Sequence, residues 1–127
     1  MKPMKLDYLH DGSADCPILR LSEFPQSEVT SLGDQTVKLC AGTLDHVTVN
    51  SMPGVVTVHG AVLTLVLAAA DEGVVRLDSG QFECRLTPGQ WCHVADLLEP
   101  FCAGSTGSQW LDETSNISLL ITKSGMF

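Results

Sequence analysis

Two histidines, His46 and His59, and the neighbours Cys92 and His93 carry most of this chain's capacity for chemistry. A hairpin closed around Ser51-Met52-Pro53-Gly54 sets His46 opposite His59. Directly opposed strand residues have Cβ atoms ~5 Å apart, so two imidazoles there can share a metal at about 2.0–2.1 Å per bond. Two ligands do not complete a zinc site. Thr48 and Thr57 flank the pair on that face and are poor zinc ligands, while Asp45 points to the other face. His46 and His59 are the metal candidates, but a polar cross-strand pair on a wet face explains them without a metal, and none is assigned.

Cys92-His93 falls on an expected helix, where adjacent residues point about 100° apart and do not face each other. A thiol–imidazole nucleophile therefore needs a histidine brought in by folding. Gly104 to Ser108 lacks the lysine and the strand-then-helix context of a phosphate cradle. Asp11 to Asp15 lacks the spacing and terminal Glu of a calcium loop. Glu99, Asp112 and Glu113 have no spacing that makes an acid–base pair. No catalytic residue and no cofactor is assigned.

The elements that position these groups are read from periodicity. Residues 1 to 15 are polar and read as a loosely held lead-in. Pro17 to Leu21 is a short strand, its Pro marking an edge or a strand start. Val29, Leu32, Thr36, Leu39 and Cys40 recur near helical spacing over Gln26 to Ala41, and Gly42 is placed to end that helix. Four strands follow as a meander over about 44 to 50, 55 to 69, 74 to 78 and 81 to 86, joined by short Gly-containing links. Thr87-Pro88-Gly89-Gln90 has the form of a capping box with Pro at the first helical position. Pro100 is expected to kink or end that helix near Glu99. Trp110-Leu111 begins a short strand, and Ile117 to Thr122 is the last. The fold class is α+β: a mostly antiparallel sheet of five or six strands with a central four-stranded meander and two helices on one face.

The register of the expected meander gathers Val47, Val49, Val56, Val58, Val62, Val66, Val75, Leu77, Phe82, Cys84 and Leu86 on one face. The helices are expected to cover it. Leu63, Leu65 and Leu67 then point the other way and need another cover. Burying three leucines contributes on the order of 5–8 kcal/mol. The simplest cover is a homodimer through the sheet, rimmed by an Arg76–Glu83 pair; the competing cover is one of the two helices crossing to that side, which gives a monomer with a three-layer core.

The length of 127 residues fits one domain spanning 1–127. The net charge of −8, from 15 acids against 7 bases, argues against nucleic acid and an anionic membrane surface. The apolar run from Ala61 to Ala70 is too short for a membrane-spanning helix, and Met1 to Gly12 has no signal-peptide core, so the chain is placed in the cytoplasm. Five cysteines in odd number and scattered spacing oppose a disulfide framework. Cys40, Cys84 and Cys102 read as buried apolar residues.

The function expected is a small cytoplasmic, non-catalytic interaction or binding module that self-associates through the leucine face. The alternatives are a small-molecule binder, with a pocket near Trp91, Phe101 and Trp110, and an enzyme using Cys or His chemistry.

Overall fold

A strand breaks at a residue held in the left-handed region, and Gly60 sits there at φ 73°. The long apolar segment therefore splits, and its two halves enter different sheets. The computed structural model describes residues 4–9, 17–58, 60–78 and 80–123. Its elements run β1 (Met4–Leu9), β2 (Ile18–Ser22), α1 (Gln26–Ala41), β3 (His46–Thr48), a short 3-10 turn (Val49–Ser51), β4 (Val55–Thr57), β5 (Val62–Leu67), β6 (Gly73–Asp78), β7 (Gln81–Leu86), α2 (Pro88–Cys102), β8 (Ser108–Asp112) and β9 (Ser118–Thr122). A five-stranded sheet has the order β4-β1-β2-β9-β8, and a four-stranded sheet the order β3-β5-β7-β6. The class is α+β with two helices. Both sheets are mixed, and they replace the single antiparallel sheet and its meander.

The first expected hairpin does not form. β4 pairs parallel with β1, setting Met4 beside Val55 and Leu6 beside Thr57. β3 pairs antiparallel with β5, setting His46 beside Val66 and Thr48 beside Thr64. His46 therefore faces a valine. His59 lies outside the described residues. Asn50 supports this arrangement locally, because its side-chain amide acts as a strand partner: it donates to the Ala61 carbonyl (2.6 Å) and accepts from the Leu63 N–H (2.8 Å). The polar lead-in is also corrected. Met4, Leu6 and Tyr8 alternate along β1, with Met4 and Leu6 fully buried.

The β6–β7 hairpin forms, but a bulge between Arg76 and Asp78 shifts its pairs by one residue. Arg76 sits beside Phe82, Val75 beside Glu83, and Val74 beside Cys84. Because side chains alternate, one extra residue inverts the strand's faces. Val74 is buried and Leu77 is 50% exposed, the reverse of the expectation. Arg76 and Glu83 fall on opposite faces and form no pair. Glu83 is held instead by Arg85 Nε at 2.8 Å.

The leucine face is corrected with them. Leu63 and Leu65 are 0% and 2% exposed within the single chain. They share one core with Val29, Leu32 and Leu39 of α1 and with Trp91, Val94 and Leu98 of α2, and half-buried Leu67 packs against it. The chain covers these leucines itself, which removes the premise for a homodimer through them.

The end of α1 and the start of α2 follow their sequence signals. Gly42 closes α1 in the left-handed conformation, its N–H bonding to Leu39 and Lys38 carbonyls. Thr87 caps α2, its side chain accepting from the Gln90 N–H. The helix runs on through Pro100 to Cys102, beyond the expected stop. The pair is antiparallel: Cys40 near the end of α1 is disulfide-bonded to Cys92 near the start of α2, and Gln26 at the start of α1 donates to the Cys102 carbonyl. That bond corrects the reading of Cys40 as a free buried thiol. Spacing did not reveal it, because the partners lie on separate helices 52 positions apart.

Cys84 is a free thiol at the centre of β7. Burial, and secondarily the Asp112 carboxylate, pushes its ionisation well above the ordinary thiol range. In the unfolded chain the thiol ionises near ~8.5. Its contribution to stability is thus complete below that pH and is lost as pH rises above it. Between pH 8 and pH 10 stability is expected to fall with a limiting slope of about 1.4 kcal/mol per pH unit from this group. Urea denaturation of Cys84→Ala, which starts less stable, should show a shallower decline over the same range.

Candidate functional site

The two sheets part at one end, and a cleft of about 410 Å3 opens between them. Tyr8 comes from β1, Val74 and Arg76 from β6, and Ser115, Asn116 and Ile117 from the turn leading into β9. The turn is pinned in place. Ser115 Oγ donates to the Val74 carbonyl (2.7 Å) and accepts from the Ile117 N–H (3.1 Å). Asp112 accepts from the Thr114 N–H and hydroxyl. Gly73, at φ 75°, lets the turn approach: a Cβ there would lie 2.8 Å from the Ser115 nitrogen.

Arg76 is the chemical centre of the cleft. The bulge sets it on the same side of β6 as Val74; the residue is exposed, and its guanidinium lies 5.5 Å from the Tyr8 ring centroid and 5.9 Å from that of Phe82. The rings are themselves 4.7 Å apart and tilted. Cation–π contact of this kind contributes about 0.5–1 kcal/mol at accessible sites. Among the described residues Arg76 makes no hydrogen bond and no ion pair. Both nearby glutamates are engaged elsewhere, since Arg85 takes Glu83 at 2.8 Å and Glu72 at 3.4 Å. Arg20 shows the contrast, gripping Asp7 through two bonds of 3.1 and 2.7 Å. Asn116, exposed at the rim, adds a side-chain amide donor. The arrangement offers a planar cation, an amide and apolar walls of Val74, Pro17 and Ile117, with one carboxylate, Glu72, on the lining and bound by Arg85. Such a set recognises an anionic head joined to an apolar body.

The other candidates fall elsewhere. His46 is exposed, its Nδ1 2.7 Å from the Asp45 carboxylate. Among the described residues no three His, Cys, Asp or Glu side chains come together as metal ligands. Trp91 and Phe101 are core residues at 0% and 6% exposure, and the Trp91 indole N–H donates to the Val66 carbonyl at 3.0 Å. Trp110 lines a separate shallow groove with Gln90 and His93, so the three do not share a pocket. Cys92 is bonded to Cys40, and burial raises the thiols of Cys84 and Cys102. None of these sulfurs is an activated nucleophile. Cys16 lies outside the described residues.

Tyr8 lies in a segment whose polar residues, Lys5 and Asp7 among them, give it the look of a lead-in. The signal was the alternation of Met4, Leu6 and Tyr8. The cleft-facing side of Arg76 was hidden by the bulge, which has no clear sequence mark.

No helix among the described residues is long and apolar enough to cross a membrane. The chain matches no protein-family model, no curated protein and no solved structure.

Proposed function

We propose that this protein is a non-catalytic binding module that takes a small anionic ligand into the cleft between its sheets. The reading rests on one observation: in a chain of net charge −8, Arg76 lies against two aromatic rings and forms no ion pair among the described residues, the Glu72 carboxylate that shares its cleft being bound by Arg85. Arg76 binds the anion through its fork, Asn116 supplies a further donor, and the apolar walls hold the rest of the molecule. The Cys40–Cys92 bond supports an oxidising compartment, against the cytoplasmic expectation.

Isothermal titration with aliphatic and aromatic carboxylates and with inorganic phosphate tests the proposal. Binding is expected for members of the panel and not for their uncharged amides or for glycerol. Arg76→Met keeps much of the apolar stem and removes the charge. It should weaken binding about tenfold to a hundredfold, the equivalent of a charged hydrogen bond worth about 1.5–3 kcal/mol, with circular dichroism unchanged. An unaltered affinity in Arg76→Met, or no binding of any anion by the parent chain, would overturn the reading.

A further inference from the structure

The outer side of the helix pair carries a second groove, of about 240 Å3. Gly33 creates its floor. With no side chain it admits the Cys102 sulfur, which a Cβ at residue 33 would meet at 3.1 Å. Val37 stands on one wall, 55% exposed, and its apolar side chain gains free energy when covered. Asp34, Asp96 and Glu99 line the groove, all three are exposed, and no basic residue lines it. Two of these carboxylates, Asp34 and Glu99, add to burial in raising the Cys102 thiol, so their field reaches the floor. The Cys40–Cys92 bond ties the two walls together, and a braced groove loses little freedom when it is filled.

We infer that this groove docks a basic helical segment of a partner protein. The groove lies between two antiparallel helices, and a third helix laid along them completes a layer by ordinary ridge-and-groove packing. An apolar side chain of the partner seats against Val37 and Gly33. Lysine or arginine side chains lie on either side and meet Asp34, Asp96 and Glu99. The volume holds one or two side chains, which suits an anchor residue better than a whole small ligand. The charge selects a cationic partner, and the apolar floor selects an amphipathic one.

The test is fluorescence anisotropy with a labelled amphipathic helix of leucine and lysine, beside its leucine–glutamate counterpart. Saturable binding is expected for the lysine peptide alone. It should weaken several-fold between about 50 mM and about 300 mM salt, as screening requires. The triple variant D34N/D96N/E99Q, altered only at exposed positions, should lose at least about tenfold in affinity. Arg76→Met should leave it unchanged, which separates this groove from the cleft. Cys102 serves as an internal reporter: bound peptide should slow its alkylation by iodoacetamide, mapped by mass spectrometry, and the triple variant should lose that protection. The inference is overturned if the lysine peptide does not bind, if both peptides bind alike, if the triple variant binds as the parent does, or if binding leaves Cys102 unprotected.

Discussion

Leu65→Asp yields an unfolded chain. Leu65 lies on β5, with Val47 beside it on one neighbouring strand and Cys84 on the other, and it is 2% exposed. An ionised carboxylate at that point has no cationic partner in the apolar core around it, and the penalty for an unpaired buried charge is several kcal/mol. Small domains are stable by only about 5–15 kcal/mol in all, so the substitution removes most or all of the margin. Leu65→Ala, which leaves a cavity and no charge, should cost about 2–5 kcal/mol and still fold. Far-ultraviolet circular dichroism and urea titration distinguish the two variants. An uncovered leucine face gives the opposite outcome, a folded Leu65→Asp chain with altered association. Native secondary structure in that variant would overturn the placement of β5.

The second large effect comes from the bond between the helices. Replacing both Cys40 and Cys92 by Ser should lower stability by about 2–4 kcal/mol, as expected for closing a long loop in the unfolded chain. The separation of 52 positions places the bond toward the upper part of that range. The midpoint of thermal unfolding should fall by about 10 °C. Dithiothreitol should destabilise the parent chain by the same amount and leave the double variant unmoved. Equal stability of the parent with and without reductant would overturn the role of this bond. Because α1 and α2 form the walls of the outer groove, reduction should also weaken the lysine-peptide complex while sparing the cleft.

The end of α1 and the start of α2 are the most legible parts of the sequence, because each is written in a few adjacent residues, whereas Pro100 does not stop α2. Gly42 can close α1 in the left-handed conformation that other residues avoid, and Thr87-Pro88 opens α2 with a cap and a pre-set φ. Strand partners were the least legible, since pairing is set across the fold and a single bulge reverses it. Three proposed turns agreed on one valine-rich face, yet Val74 is inside and Leu77 outside because of one extra residue before the β6–β7 turn. The break at Gly60 had left a trace: alternation of apolar and polar residues stops there, and a run apolar on both sides begins. A change of pattern at a glycine signals two strands rather than one. The candidate site was less visible still. Arg76 acquires its role from Tyr8 and Phe82, and its tie to Tyr8 depends on how the two sheets meet.

The pairing of β2 with β9 has a consequence for synthesis. These two strands lie side by side in the middle of the larger sheet, Ile18 against Ser118 and Ser22 against Thr122. While the chain is still growing on the ribosome, β2 has no β9 to join, and the N–H and C=O groups of that edge stay unpaired until residue 122 has left the exit tunnel. The larger sheet must therefore assemble after translation has passed its last strand, and the nascent chain depends until then on whatever keeps an unpaired strand from finding a neighbour's.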